Sequence, residues 1–240
     1  MDLRAAFEPN ELTAAVGAGG KKSTLYALAE ELTRAVVTAT VRIPPFDDRV
    51  ERLVSTDDPV STVSRNDAWP LGVVRGRDGG RNRYLGYDTD VISDLATSTD
   101  VPILLKADGA RTRWFKAPGA EEPQLPAATD LVVPIASVKA VGERLDEEHV
   151  HRPERVASVL DRPLGSRIRT SDIVAVLRDE RGGLKGVPAD ARVVPLINMV
   201  DGERLEAVAS EIANGLLEAD RIERVVLGRM DRGTVLDVRE

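Results

Sequence analysis

The chain has 240 residues, 42% of them hydrophobic, with 33 basic and 40 acidic side chains and a formal net charge of −7. That is enough apolar material for a sizeable core rather than a disordered chain, and the acidic balance argues against a nucleic-acid partner, which needs a basic face. The absence of cysteine removes disulfides, zinc-thiolate sites and thiol chemistry together. No apolar run reaches the roughly 18 residues of a membrane span. Residues 1–11 carry no basic region followed by an apolar stretch, so no signal peptide is expected and a cytoplasmic address fits.

In chain order, Leu12–Val16 is an apolar run ending in a glycine-rich turn and reads as a buried strand. Leu25, Leu28, Ala29 and Leu32 then fall on one face of a helix, and Ala35–Val41 reads as a second strand. Strand, turn, helix, strand is a βαβ unit, which implies a parallel sheet. Residues 42–90 are broken by Pro44-Pro45, Asp57-Asp58-Pro59 and Gly79-Gly80. They read as an irregular insertion or flap, with Val73-Val74 and Arg83–Leu85 as strands of a small hairpin. A helix is expected over Asp88–Thr97 with Asp88 as its cap, then buried strands at Val101–Leu105 and Leu131–Ile135. Helices follow at Pro153–Leu160, with proline in the first turn, and at Ser171–Leu177, capped by Thr170. The C-terminal third gives a strand over Arg192–Ile197 ending at Asn198, a helical stripe from Leu205 to Leu217, and a strand over Arg224–Leu227. The expected architecture is one α/β domain over residues 1–240, a mostly parallel sheet flanked by helices in a three-layer sandwich like that of P-loop NTPases.

The turn Gly17-Ala18-Gly19-Gly20-Lys21-Lys22-Ser23-Thr24 carries the first chemistry. A phosphate needs converging backbone N–H groups, hence glycines where a Cβ would block close approach. It also needs a lysine for the outer phosphates and a hydroxyl, here Ser23, for Mg²⁺, at a helix N-terminus whose dipole favours anions. The loop is shorter than the usual pattern, so either Lys21 or Lys22 is the phosphate lysine. A dinucleotide fingerprint competes for the glycines, but Lys22 stands where its third glycine belongs and the second strand lacks the ribose-reading acid.

The second segment is Val101–Pro118. A buried strand ending in Asp108 matches the second Mg²⁺-organising element of P-loop proteins, with Gly109 allowing a turn beneath the phosphates. Lys106 and Asp108 alternate onto one side of the strand and are the candidate catalytic pair. The alternative is a salt-bridged strand end. Only six of the 33 basic residues are lysine, and four of them, Lys21, Lys22, Lys106 and Lys116, fall in these two segments. The third segment is Asn198-Met199-Val200-Asp201, similar to the Asn-Lys-x-Asp with which many GTPases read guanine; Asp201 serves equally as a helix cap. His149 and His151, the only histidines, have the spacing of a metal pair on a strand, against the simpler reading of an exposed polar turn.

On these residues the chain resembles the YqeC-like family, accessory proteins of selenium-dependent molybdenum hydroxylases. The resemblance runs through Val16–Lys21, Thr38 and Thr40, Ala107-Asp108-Gly109-Ala110-Arg111, Lys116-Ala117-Pro118, Glu122-Pro123, Val150-His151-Arg152-Pro153 and Leu196-Ile197-Asn198. It implies a factor that binds ATP or GTP with Mg²⁺, a slow NTPase or not one at all, in maturation of a molybdenum hydroxylase cofactor. The alternative is a non-hydrolysing carrier of a phosphate-bearing cofactor such as a molybdopterin nucleotide. The expected partners are the nucleotide and the hydroxylase or its cofactor, without nucleic acid or membrane, and a homodimer stays open. Two positions depart from the family pattern: Lys22 stands for threonine and Lys106 for glutamate. Both add positive charge beside the phosphate loop and bear on hydrolysis more than on binding.

Overall fold

A computed structural model describes residues 2–240. In chain order the elements are α1 (Leu3–Phe7), β1 (Leu12–Gly17), α2 (Lys21–Leu32), β2 (Val36–Ala39), β3 (Arg52–Ser55), α3 (Pro59–Ser64), β4 (Leu71–Val74), β5 (Gly76–Arg77), β6 (Tyr84–Leu85), α4 (Thr89–Thr97), β7 (Ile103–Lys106), β8 (Phe115–Lys116), β9 (Leu131–Ser137), β10 (Val150–His151), α5 (Pro153–Leu160), α6 (Thr170–Arg178), β11 (Arg192–Val193), β12 (Leu196–Asn198), α7 (Glu203–Leu217), β13 (Val225–Arg229) and β14 (Thr234–Arg239).

A ten-stranded sheet runs β14-β13-β12-β9-β1-β7-β2-β4-β3, with β11 also pairing β9. Its pairings are parallel except for β13 with β14. Parallel strands covered by helices on both faces read as continuous apolar runs, and β1, β2, β4, β7 and β9 are buried almost throughout. The period of two sorts their side chains. Ala15, Leu104, Val133, Ile135 and Leu196 pack under α1 and α2. Ala14, Val16, Leu105, Val132 and Ile197 face the other layer, formed by α3 and α4 at one end and by α5, α6 and α7 at the other. The result is a three-layer α/β sandwich.

Residues 42–90 are more regular than the sequence suggested. They supply β3 and β4, which extend the main sheet in parallel beyond β2. Val73-Val74 therefore belongs to the sheet, and the small hairpin is formed by β5 and β6 instead. β3 escapes an apolar pattern because it is an edge strand with Arg52 and Ser55 exposed. Two caps also differ from expectation. Thr170 is the first residue of α6, and the cap position belongs to Arg169, whose N–H donates to the Asp172 carboxylate at 2.8 Å. Gly202, not Asp201, occupies the cap of α7, with a φ of 91° that favours glycine. Among the described residues, no helix is long and apolar enough to cross a membrane.

With β1, β2, β7 and β12 parallel, the segments leaving their C-terminal ends meet at one edge of the sheet. β1 lies inside the sheet between β7 and β9, and its helix α2 leads past β7 to β2. A strand order that branches in this way opens a crevice at the C-terminal edge. The packing beneath that edge is tight: Leu104 is completely buried against α2. Leu104→Ala should cost about 2–5 kcal/mol, read as a lower denaturant midpoint with an unchanged slope. A loss below about 1 kcal/mol would mean that the α2 layer is loosely packed.

Candidate functional site

The loop between β1 and α2 depends on three glycines with positive φ: Gly17 at 88°, Gly19 at 94° and Gly20 at 135°. A Cβ on Gly17 would lie 2.4 Å from the Ile135 carbonyl oxygen, and one on Gly20 would lie 2.1 Å from Asn198 Nδ2. Glycine is therefore required by backbone angle and by space together. The loop is held from behind by the neighbouring strand ends. The Ala18 N–H donates to the Ile135 carbonyl at 2.9 Å. Asn198, buried at the end of β12, donates from Nδ2 to the Gly19 carbonyl at 2.7 Å and accepts from the Met230 N–H at 2.9 Å. Asn198 thus braces the loop and does not line the opening. Thr24 is likewise spent inside α2, on the Gly20 carbonyl at 3.1 Å.

Beneath the loop lies a row of alternating charges. The Asp108 carboxylate is fully buried, 2.9 Å from Lys21 Nζ on one oxygen and 3.0 Å from Lys116 Nζ on the other. The Gly17 N–H donates to it at 2.8 Å. Lys21 also donates to the Gly17 carbonyl, closing the turn on itself. Lys116 continues to Glu122 at 2.8 Å, and Glu122 to Arg152 at 2.5 Å, where the row reaches the half-buried surface. The Gly109 carbonyl accepts from Lys116 at 2.6 Å, while its N–H donates to Glu122 at 3.2 Å. Lys185 ties the same turn down through the carbonyls of Gly119, Ala120 and Glu122. Burial alone would raise both acids. For Asp108 the lysines on either side reverse this and hold the carboxyl below its usual range. For Glu122, Lys116 and Arg152 bring it down to about 2.

Above the loop the C-terminal edge opens into a cleft of about 370 Å³. Its floor is Gly19, Gly20, Lys21, Lys22 and Ser23 at the start of α2. Its walls include Lys106 and Gly109, the turn Ala110–Arg113, Met199, and Arg42 and Arg83 from the segment before α4. Seven of the lining residues are cationic, and among the described residues no carboxylate lines the cleft. Arg42 is paired with Asp78 at 2.7 Å, whereas Lys22, Arg83, Arg111 and Arg113 make no ion pair among the described residues. The turn that presents the arginines is strained. Arg111 and Thr112 both have positive φ, 47° and 62°, and Thr112 is β-branched.

Lys106 is buried beside this cleft, and its Nζ donates to main-chain oxygens of Asp108 at 2.7 Å and Arg42 at 3.2 Å. It does not pair with the Asp108 carboxylate; that role belongs to Lys21 and Lys116. Burial first, and then the neighbouring Lys21, push the Lys106 ammonium down to about 7. Lys22, also lowered by burial and by the nearby Arg83 and Arg49, shares this crowding of like charge.

The remaining residues singled out from the sequence take other places. Thr38 and Thr40 are buried and donate to the carbonyls of Val73 at 2.8 Å and Gln124 at 2.7 Å, fixing the end of β2. Asp201 is exposed and paired with Lys139 at 2.6 Å, away from the cleft lining. His151 lies on β10 beside Lys116 and Arg152, which with burial lower it to about 4. His149 stacks on Trp114 with ring centroids 4.5 Å apart. Arg42, Arg83, Arg113 and Lys185 were not anticipated. Arginine makes up 27 of the 33 basic residues, so one more arginine in an unpatterned segment carries no signal.

Removing the central carboxylate should be severe. Asp108→Asn leaves Lys21 buried without a counter-charge and Lys116 with Glu122 alone, which costs about 3–5 kcal/mol. The double variant Asp108→Asn with Lys21→Met should recover part of that loss in equilibrium unfolding. A single variant as stable as the parent would show that the row of charges does not hold the loop.

The YqeC protein family matches residues 13–154, which span the glycine loop and the whole row from Lys21 to Arg152. The chain is also 28% identical over 236 residues to the uncharacterized protein YqeC of Escherichia coli (strain K12), covering 95% of this chain and 90% of that protein. No solved structure matches. With more than half of its length inside the family's bounds, the chain belongs to the YqeC family.

Proposed function

We propose that this protein binds a polyphosphate-bearing ligand, a nucleotide such as ATP or GTP or a phosphate-linked cofactor, in the cleft above the glycine loop. One observation carries the reading: seven basic side chains line a pocket of about 370 Å³, four of them, Lys22, Arg83, Arg111 and Arg113, without an ion-pair partner, and no carboxylate lines it among the described residues. Such a cluster repels itself when empty, and an anion relieves it. The floor of the cleft is the N-terminus of the twelve-residue α2, where unsatisfied N–H groups and the helix dipole favour negative charge. The position of the loop, between β1 and α2 at the C-terminal edge of a parallel sheet, supports the reading, because ligands of open α/β sheets bind at such edges.

Binding is better supported than hydrolysis. Among the described residues no acid lines the cleft to orient a water, and Lys106 occupies the wall beside Asp108. On this reading the protein holds or delivers its ligand. The resemblance to the YqeC-like family then suggests the setting: maturation of a molybdenum hydroxylase, with the ligand a nucleotide or a nucleotide-bearing form of its cofactor.

The charge state of Lys106 tests the reading. With its ammonium lowered to about 7, the side chain is charged below that pH and neutral above it. A bound anion favours the charged form, so binding takes up a proton and affinity falls as pH rises. Between pH 7 and 9, where the terminal phosphate is already ionised, ATP affinity should fall about tenfold. In Lys106→Met the affinity should be weaker at pH 7 and nearly flat across that window. Calorimetry in buffers of different ionisation enthalpy measures both affinity and proton uptake. An affinity that ignores pH in the parent, with no proton uptake, would contradict the role given to Lys106.

A further inference from the structure

We infer that the cleft takes its polyphosphate ligand as the free anion, without a divalent metal ion, because Lys22 and Lys106 supply the positive charge that Mg²⁺ brings to a standard phosphate loop. The inference rests on the anion-binding reading above and adds the ionic form of the ligand.

Magnesium needs a near-octahedral set of oxygen donors, normally one or two protein carboxylates or hydroxyls with water and phosphate completing it. The donor set here does not fit. At the position after the loop lysine, where a hydroxyl would ligate the metal, Lys22 places an ammonium on the cleft floor. By the family resemblance Lys21 stands for the loop lysine, and Lys22 stands one position further on, where that pattern has threonine. The strand-end carboxylate is equally unsuited. Asp108 is 1% exposed and engaged by Lys21, Lys116 and the Gly17 N–H, so reaching a metal means breaking two buried ion pairs. Glu122 is held in the same way by Lys116, Arg152 and the Gly109 N–H. Ser23 and Thr112 are the hydroxyls among the cleft-lining residues, too few donors for such a set without a carboxylate, and a dication beside Ser23 would share the cleft with Lys22, Lys106 and Arg111. Those cations would instead meet the phosphate oxygens directly, as charge-assisted hydrogen-bond donors.

A complexed metal removes roughly two negative charges from a nucleoside triphosphate, so it weakens attraction to this cleft. The experiment is calorimetry of the full chain with ATP at pH 7, in EDTA and in excess Mg²⁺, with tripolyphosphate as a second probe. ATP in EDTA is expected to bind about tenfold more tightly than in excess Mg²⁺. Binding that appears only with Mg²⁺, or is tighter with it, overturns the inference and leaves the anion-binding reading standing. No binding of ATP or tripolyphosphate under either condition overturns that reading and this inference with it. Lys22→Thr supplies the second arm. Lys22 is only half-buried and makes no ion pair among the described residues, so the melting temperature should barely change. Its metal-free affinity should drop about tenfold, and Mg²⁺ should now strengthen binding. A Lys22→Thr protein that keeps its metal-free affinity and gains no response to Mg²⁺ removes Lys22 from the role assigned to it.

Discussion

Everything at the C-terminal edge of this sheet is organised by one buried carboxylate. Asp108 sits at the end of β7 beneath the glycine loop, and three groups from two other segments close on it: Lys21 and the Gly17 N–H from the loop, and Lys116 from β8. An unpaired charge at that depth would be prohibitive, so each of these groups is obligatory once the others are present. Glu122 and Arg152 extend the same logic to the surface, and Lys185 fastens the turn between them from a distant part of the chain. The row contains three cations and two anions, so it leaves a small positive excess under a loop whose N–H groups already favour anions.

The cleft above is a consequence of this arrangement combined with the sheet order. Parallel strands bring their C-terminal segments to one edge, and segments far apart in the chain then place Arg42, Arg83, Lys106 and Arg111 around a common space. A protein with a formal net charge of −7 has concentrated Lys22, Arg83, Arg111 and Arg113, which make no ion pair among the described residues, in one place, against its overall balance. The strained turn at Arg111 and Thr112 points the same way, because backbone strain of this kind persists where the surroundings over-determine it.

Much of the fold was legible because buried parallel strands are apolar throughout. β1, β7 and β9 stand out for that reason, and α7 for its stripe of apolar residues. β3 was hidden because, at the edge, it exposes Arg52 and Ser55, and β4 was read at Val73-Val74 as half of a hairpin because its partners β2 and β3 are distant in sequence. The loop was legible through its glycines, whose angles and close approaches no other residue satisfies. The direction of Asp108 was not. Alternation along the strand puts Lys106 and Asp108 on one side, but it does not say that Lys106 turns to main-chain oxygens while Asp108 is capped by Lys21 and Lys116. Lys116 stood out through the clustering of the few lysines, but Glu122 was visible only through the family resemblance, since its role depends on a turn that no local pattern specifies. Asn198 looked like a base-reading residue and is a brace for Gly19, because β12 ends directly behind the loop.

The central claim is that the amides of the glycine loop and the start of α2 receive an anion. Backbone amide NMR of the full chain titrated with tripolyphosphate tests it most directly. The account expects saturable shifts concentrated at Gly19, Gly20, Lys21 and Lys22, with smaller ones at Ala110–Arg113. Shifts spread over the basic surface without saturation, or saturable shifts that leave Gly19 to Lys22 untouched, would contradict it.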